Sequence, residues 1–260
     1  MKVERTVAGV RDALAGRRAG RVGLVPTMGA LHEGHLSLLR AAREECDTVV
    51  MSLFVNPAQF AAGEDLARYP RDEEHDLARA ERACVDLVFA PSNEELYPPG
   101  YQTWVEVVEL GSILEGEHRP GHFRGVATIC LKLFTIVGPD RAYFGQKDVQ
   151  QVAVLRRMIR DLHLGLELRV LPIVRDPDGL ALSSRNAHLT PDERRRALAL
   201  PRALATRDLG RARTLLTADG LDVDYVAVAD FDPPVLAAAV RVGGTRLIDN
   251  VVLDQKGTDE

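Results

Sequence analysis

Two histidines three residues apart, His32 and His35, stand where a strand pattern gives way to a helix pattern. The apolar run from Val22 to Val25 ends in Pro26, and an amphipathic helical pattern follows. One helical turn places both imidazoles on the same side. A helix start also presents unpaired backbone N–H groups and the positive end of the helix dipole. This arrangement predicts a cup of hydrogen-bond donors for a phosphate chain, and hence a protein that handles a nucleoside triphosphate.

The same spacing has plainer interpretations. The two histidines could cap the helix or pair with Glu33, and His-x-x-His could be half of a metal site. For a metal site, no nearby cluster of Cys, His or Asp supplies further ligands at a convincing spacing. The location favours the phosphate interpretation, because open α/β sheets bind their ligands at junctions of this kind.

Strand and helix patterns alternate through the first two-thirds of the chain. We expect strands at 21–26, 48–55, 86–90, 103–108, 142–144 and 166–173. We expect helices at 7–17, 34–45, 71–83, 122–137 and 149–162. This alternation predicts a parallel sheet covered by helices on both faces. No Gly-x-Gly-x-x-Gly follows the first of these strands, which counts against a dinucleotide cofactor.

The pattern changes after Pro172, which suggests a second domain. A capping box formed by Thr190 and Glu193, with Pro191 between them, begins a helix. Beyond that helix we expect a strand at 223–229, a helix near 233–239 and a last strand at 245–253. We therefore predict two domains, residues 1–173 and a smaller α+β domain at 174–260.

Composition excludes several classes of protein. The 260 residues carry a formal net charge of −5, which argues against a nucleic-acid partner. The charged N-terminal segment does not resemble a signal peptide, and no apolar stretch approaches the ~20 residues of a membrane span. Cys46, Cys84 and Cys130 are odd in number and far apart, which fits buried thiols in a reducing compartment. We expect a cytoplasmic protein.

A series of motifs resembles the signatures of the pantothenate synthetase family, in that family's order. They are VPTMGALHEGH at 25–35, FVNPAQF at 54–60, YPR at 69–71, RPGHFRGV at 119–126, FGQKD at 144–148, SSRN at 183–186 and TRLIDN at 245–250. One block alone is only moderately specific, whereas so many in order are strong evidence.

The resemblance implies an α/β fold with a Rossmann-like parallel sheet of the class I aminoacyl-tRNA synthetase and nucleotidylyltransferase type. It implies that residues 1–173 bind ATP and pantoate and that residues 174–260 form a lid carrying a Ser-Ser-Arg clamp. The implied reaction joins pantoate to β-alanine through a pantoyl adenylate and releases AMP and pyrophosphate. The implied partners are therefore small-molecule substrates, without nucleic acid or membrane, and the family also suggests a homodimer.

The resemblance also assigns site residues. The catalytic residues would be His35 as proton donor, His32, and Lys147 as a point charge on the phosphates. The ATP-binding residues would be Met28, Gly29, Ala30, Leu31, His32, Glu33, Gly34, His35, Gly145, Gln146, Lys147, Asp148, Val174, Leu182, Ser183, Ser184 and Arg185. The residues binding pantoate or β-alanine would be Gln59, Gln151, Asn56 and Arg119.

Magnesium would accompany ATP, and no organic cofactor is expected. Where the family tends to have adjacent acidic residues that help to hold magnesium, this chain has His75 and Asp76. A neutral imidazole suits a hard cation poorly, which leaves Asp76 as the candidate protein ligand. The strand expected around Trp104 is a candidate dimer interface.

Two other functions remain open at this point. A nucleotidylyltransferase with the same His-x-x-His motif would transfer a nucleotidyl group, but it would not need Gln59 and Gln151 beside the phosphate site. A non-catalytic nucleotide sensor could keep the fold, but the presence of His32, His35 and Lys147 argues against it.

Overall fold

The computed structural model describes residues 1–17, 19–61 and 65–253. By its contacts the chain forms two compact units. The first unit comprises Met1–Gly145 and Val154–Leu171, and the second joins Gln146–Ala153 to the chain that begins at Pro172. Segment Gln146–Ala153 thus groups with the C-terminal unit, whereas the division expected after residue 173 placed it in the first domain.

The first unit is built on a sheet of six strands, all parallel. The strands are β1 (Lys2–Glu4), β2 (Val22–Thr27), β3 (Thr48–Leu53), β4 (Leu87–Phe89), β5 (Arg141–Gly145) and β6 (Glu167–Leu171). Almost every residue of β2 and β3 is buried, as their continuous apolar sequences predict for strands covered on both faces. The short β1 was not expected from the sequence.

Helices flank this sheet. They are α1 (Val7–Ala15), α2 (Glu33–Glu45), α3 (Glu73–Arg82), α4 (Asn93–Leu96), α5 (Glu115–His118) and α6 (His122–Val137). A further helix, α7 (Val149–Asp161), crosses the boundary between the two units. The core between sheet and helices includes Val25, Leu39, Met51, Val88 and Tyr143, none of which is exposed. The predicted α/β fold with a parallel sheet is therefore confirmed.

The strand order β1-β4-β3-β2-β5-β6 determines where a ligand can bind. From β2 the chain proceeds through β3 to β4 on one side, and later from β5 to β6 on the other. The order therefore reverses between β2 and β5. In open parallel sheets the crevice outside the carboxyl ends of such a strand pair is the usual ligand site. The segment that follows Thr27 leaves the sheet at this point.

The second unit contains a three-stranded antiparallel sheet of β7 (Asp222–Asp230), β8 (Pro234–Val242) and β9 (Thr245–Val252), in that order. Its helices are α8 (Pro191–Ala197), α9 (Ala199–Leu204) and α10 (Leu209–Ala218). Leu200, Leu216, Leu236 and Val240 form its core. This arrangement confirms the expected small second α+β unit.

Two predicted elements are wrong, and each has a physical reason. The helix expected near 233–239 is the central strand β8, whose alanines pair with strands on both sides and are buried. Pairing in the sheet outweighs the helix propensity of alanine here. The strand expected at 103–108 is irregular, because its alternating sequence finds no strand partner in the described chain.

Candidate active site

The loop between β2 and α2 requires a glycine at its tightest point. Gly29 has φ +82° and Ala30 has φ +50°, both in the left-handed region. A Cβ atom at Gly29 would lie 2.7 Å from Asp76 Oδ2 and 3.0 Å from Leu53 Cδ1. The backbone of this loop therefore packs directly against α3 and the end of β3.

Asp76 braces this loop. Its side chain is buried, with 3% of the residue exposed. Its two carboxylate oxygens accept hydrogen bonds from the backbone N–H groups of Ala30 and Leu31, both at 2.8 Å. Arg79, one turn further along α3, donates to the carbonyl oxygen of Leu31. Three long-range hydrogen bonds to two side chains of α3 thus fix the loop that precedes the histidines.

These contacts give Asp76 a structural role. Both oxygens of the carboxylate accept from backbone amides, so Asp76 braces the loop, and its binding of magnesium stays a prediction. Its neighbour His75 is exposed and accepts a hydrogen bond from Arg79 Nε at 3.0 Å. Among the described residues, no group of three or more His, Cys, Asp or Glu side chains could hold a metal ion.

His32 and His35 form a mutual capping arrangement at the start of α2. His32 is the N-cap, and its Nδ1 accepts from the Gly34 amide at 3.2 Å. His35 Nδ1 accepts in turn from the His32 amide, also at 3.2 Å. The ring centroids lie 4.1 Å apart. The capping interpretation is therefore correct, and Glu33 pairs with Arg40.

This capping has a chemical consequence. Because each Nδ1 accepts from a backbone N–H, the neutral tautomer of each ring carries its proton on Nε2. Each imidazole therefore has a donor at the atom opposite its cap. The backbone amides of this junction were expected to bind phosphate. Those of His32 and Gly34 instead donate to the histidine side chains, and those of Ala30 and Leu31 donate to Asp76. The donors of this junction are thus mainly the imidazoles.

A second cluster surrounds Gln59. Asn56 is buried, with 1% exposed, and its Nδ2 donates to Gln59 Oε1 at 3.1 Å and to the carbonyl oxygen of Gly125 at 3.2 Å. Its Oδ1 accepts from the Tyr97 hydroxyl at 2.9 Å. Gln59 Nε2 lies 3.0 Å from Met28 Sδ. Gln59 thus contacts Met28, and the buried Asn56 holds the side-chain oxygen of Gln59 by a hydrogen bond.

Residues at the start of α6 contact the backbone of Gln59. His122 Nδ1 donates to the carbonyl oxygen of Gln59 at 2.9 Å, and its Nε2 lies 3.0 Å from an Arg119 guanidinium nitrogen. A Cβ atom at Gly125 would lie 2.2 Å from the carbonyl oxygen of Ala58, so only glycine permits this approach. Arg119 thus contacts His122 and the carbonyl oxygen of Gln59, and its binding of substrate stays a prediction.

Tyr97 and His122 are support residues that the sequence analysis missed. Burial raises the pKa of the Tyr97 hydroxyl, which keeps it protonated as the donor to Asn56. His122 lies inside the RPGHFRGV motif, which was the available signal. Tyr97 lies in no motif, and its contact with Asn56 spans 41 residues of sequence, so nothing local could have identified it.

In the second unit, Lys147 lies in a 3₁₀ turn, Gln146–Asp148, immediately before α7. Asn250 on β9 donates to the carbonyl oxygens of both Gln146 and Lys147 at 3.0 Å. The Lys147 ammonium is 3.7 Å from the Asp148 carboxylate and its side chain is 21% exposed. Gln151 follows, half-buried, in the first turn of α7.

The remaining predicted residues lie on a hairpin and the turn that follows it. Leu182 donates from its backbone N–H to the carbonyl oxygen of Val174 at 3.0 Å, which closes the hairpin. Ser183 caps the 3₁₀ helix Ser184–His188, its Oγ accepting from the Arg185 amide at 3.3 Å. The structure therefore brings Val174 next to the Leu182–Arg185 segment.

The fold and these clusters define a class of α/β proteins that bind ligands at the carboxyl ends of a parallel sheet. Comparison with known proteins narrows the class. The family model for pantoate-beta-alanine ligase matches residues 2–252. The chain therefore belongs to the pantoate-beta-alanine ligase family and is a ligase of pantothenate biosynthesis.

Relatives support this assignment over nearly the whole chain. The chain is 52% identical to pantothenate synthetase from Moorella thermoacetica, covering 98% of this chain and 99% of the relative. A crystal structure of pantothenate synthetase from Thermus thermophilus is 46% identical, with a TM-score of 0.93 and coverage of 97% and 99%. The pantoate-beta-alanine ligase of Francisella tularensis, complexed with beta-gamma ATP and beta-alanine, is 34% identical, with a TM-score of 0.89 and 97% coverage of both chains.

In the described part of this chain, no helix is long and apolar enough to cross a membrane. The three cysteines are free thiols, with Cys46 and Cys130 buried and Cys84 exposed. The expectation of buried thiols is thus wrong for Cys84, which lies in the turn after α3.

Proposed function

We propose that this chain condenses pantoate with β-alanine in two steps at the expense of ATP. In the first step a pantoate carboxylate oxygen attacks the α-phosphorus, and the bond to pyrophosphate breaks. In the second, the β-alanine amine attacks the acyl carbonyl of the pantoyl adenylate, loses a proton and displaces AMP. The observation that carries this proposal is the pair of capped histidines at the switch point of the sheet, whose Nδ1 atoms both accept from backbone amides.

The histidine pair suits the first step. Attack on the α-phosphate builds negative charge on the phosphate oxygens and on the departing pyrophosphate. Two imidazole N–H donors fixed by their own backbone caps would stabilise that charge without reorganising. We assign the proton-donor role of His35 to its Nε2–H, which would donate a hydrogen bond to the phosphates, and His32 as a second phosphate contact. Met28 and Gly29 line the same loop and would allow close approach to the nucleotide.

Gln59 is proposed to bind pantoate and β-alanine, with Gln151 as a second pantoate contact. An amide can satisfy both hydroxyl and carboxylate groups. Asn56 and Arg119 are proposed as further contacts to these substrates. In this structure Asn56 also holds the side chain of Gln59, and His122, which contacts Arg119, holds its backbone. Gln59→Ala is expected to raise the KM for pantoate far more than the KM for ATP in steady-state assays. Equal increases in both would place the pantoate pocket elsewhere.

The second unit is proposed to supply the remaining ATP contacts. Lys147 would place its ammonium on the phosphates, and Asp148 would contact the ribose or adenine. The segment Leu182 to Arg185 would hold the β- and γ-phosphates, and the backbone of Val174 would contact adenine. These roles come from the family's motifs, and the ordered hairpin and turn support them.

Magnesium is proposed to enter bound to the phosphates of ATP. When bound there, it would neutralise charge on those oxygens. Among the described residues, no group of three or more His, Cys, Asp or Glu side chains could hold a metal ion, and Asp76 is the proposed protein ligand to the magnesium carried by ATP.

We also propose that the chain is a cytoplasmic homodimer. Trp104 and Val108 are 42% and 72% exposed on a segment that pairs with no strand of the described chain. A second copy could cover these side chains and pair with their backbone. Light scattering should give twice the chain mass, and Trp104→Arg should shift it toward the monomer. A monomeric wild-type protein would refute the dimer.

Product analysis by mass spectrometry tests the reaction. The purified protein would be incubated with ATP, magnesium, pantoate and β-alanine, with each component omitted in turn. We expect pantothenate and AMP only in the complete mixture, and pantoyl adenylate when β-alanine is omitted. Nucleotidyl transfer without amide formation, or ATP binding without AMP, would overturn the proposal in favour of a nucleotidylyltransferase or a sensor.

A further inference from the structure

Two adjacent polar residues of β9, Asp249 and Asn250, are each only 2% exposed. Burial of polar groups is costly unless hydrogen bonds satisfy them. Neither residue has been assigned a role in the proposed function. Each of them contacts a different segment of the second unit that carries proposed ATP contacts.

Asn250 holds the turn that carries Lys147 by side-chain hydrogen bonds. Its Nδ2 donates to the carbonyl oxygens of Gln146 and Lys147, both at 3.0 Å. Its Oδ1 accepts from Gln146 Nε2 at 3.1 Å. Only a carboxamide offers two N–H donors and an acceptor in this arrangement. The contacts span more than 100 residues of sequence, so they fix the turn from outside its own segment.

Asp249 holds the Val174–Leu182 hairpin through an ion pair with Arg175. Its carboxylate receives two bonds from the Arg175 guanidinium, at 2.7 Å and 3.0 Å. The Asp249 side chain is 0% exposed and that of Arg175 is 33% exposed. Arg175 also donates to the carbonyl oxygen of Gly179 within the hairpin at 3.2 Å. Two parallel charge-assisted bonds fix direction as well as distance.

These two sets of contacts are coupled. The backbone N–H of Asn250 donates to Asp249 Oδ1 at 2.8 Å. The Asp249 carboxylate therefore bonds both to Arg175 of the hairpin and to Asn250, which holds the Lys147 turn. We propose that Asp249 and Asn250 are positioning residues that set the Lys147 turn and the Val174–Leu182 hairpin in one fixed geometry for ATP. This inference rests on the proposed ATP contacts of Lys147 and Val174.

The test is a double-mutant cycle on ATP affinity. Asn250→Asp keeps the size of the side chain but replaces both donors with an oxygen that faces two carbonyl oxygens. Loss of a charge-assisted contact to a phosphate weakens affinity roughly 10- to 100-fold, so we expect the Kd for ATP, measured by titration calorimetry, to rise by that factor. In a Lys147→Ala background the same change should raise Kd much less, because the group it positions is absent.

A matched control separates positioning from general damage. Thr245→Val alters another buried polar residue of β9, at the start of the strand, and should leave the Kd for ATP unchanged. Melting temperatures of all variants are measured in parallel. If Asn250→Asp does not fold, Arg175→Gln tests the contact between Asp249 and the hairpin. The Arg175 side chain is one-third exposed, so this variant should fold, and it should also weaken ATP binding.

Several outcomes would overturn the inference. One is an unchanged Kd for ATP in Asn250→Asp, or in Arg175→Gln if Asn250→Asp does not fold. Another is an equal rise of the Kd on Asn250→Asp in the wild-type and the Lys147→Ala backgrounds. Failure of the proposed function is distinguishable, because ATP binding is measured without the reaction. A wild-type protein that binds ATP but forms no pantothenate would refute the proposed function and leave the cycle to decide this inference. A wild-type protein that binds no ATP would refute both.

Discussion

The brace formed by Asp76 can be tested by removing one negative charge without changing the shape of the side chain. In Asp76→Asn, one amide oxygen can still accept from either Ala30 or Leu31. The other backbone N–H would then face the NH₂ group of the new amide. The substitution therefore removes one charge-assisted hydrogen bond, weakens the second and buries an unsatisfied donor.

The size of the effect follows from these contacts. Hydrogen bonds to a charged group contribute about 1.5–3 kcal/mol each, and a buried unsatisfied donor costs about 1–3 kcal/mol. We expect Asp76→Asn to lower the free energy of unfolding by about 2–4 kcal/mol, a large share of the 5–15 kcal/mol typical of a domain. Because the braced loop precedes His32, adenylate formation should fall as well.

Urea unfolding and the magnesium dependence of adenylate formation are the assays. Asp72→Asn is the matched control, since exposed Asp72 caps the same helix by accepting from the His75 amide, and asparagine caps equally well. This control should differ from wild type by less than about 0.5 kcal/mol. If Asp76→Asn were as stable as wild type but required more magnesium, Asp76 would be a metal ligand and the brace argument would fail.

Three further outcomes are expected. His35→Ala should reduce adenylate formation by orders of magnitude with near-normal circular dichroism, and normal turnover would remove His35 from the mechanism. In the native protein a thiol reagent should label Cys84 but not the other two cysteines, which are buried; labelling of all three would contradict the packing. The Arg169 guanidinium lowers the pKa of the Glu45 carboxyl below 4.5, so its stabilisation is present above that pH and is lost as the pH falls further. The urea midpoints of wild type and Glu45→Gln should therefore differ at pH 7 and converge as the pH falls below 4.5, and a gap independent of pH would refute this.

Local sequence patterns were sufficient for most of the first unit. Helix α6 was predicted over 122–137 and observed as His122–Val137, because Gly138 ends it in the left-handed conformation. Strands β2 and β3 were evident from apolar runs that both faces of the sheet bury. Where the pattern was ambiguous, as in the alanines of β8, tertiary pairing decided the outcome, and a single sequence does not show pairing.

The candidate site was predictable in its motifs but not in its supports. His32, His35, Gln59 and Lys147 were found from motifs, and this structure places each of them in an ordered turn or helix start. The contact that holds the His32 loop comes from Asp76, 45 residues away from Leu31 in sequence. Such contacts leave no local pattern, so the sequence did not indicate that Asp76 braces this loop.

The supports share a physical property that a structure reveals at once. Asn56, Asp76, Asp249 and Asn250 are polar residues with at most 3% exposure. Since replacing a buried polar network with apolar packing is often neutral or stabilising, stability alone does not explain their presence. Each of them bonds to the backbone or side chain of a segment that carries a proposed substrate contact. Their presence is better explained by geometry, because catalysis of nucleotidyl transfer and acyl transfer depends on groups held within fractions of an ångström.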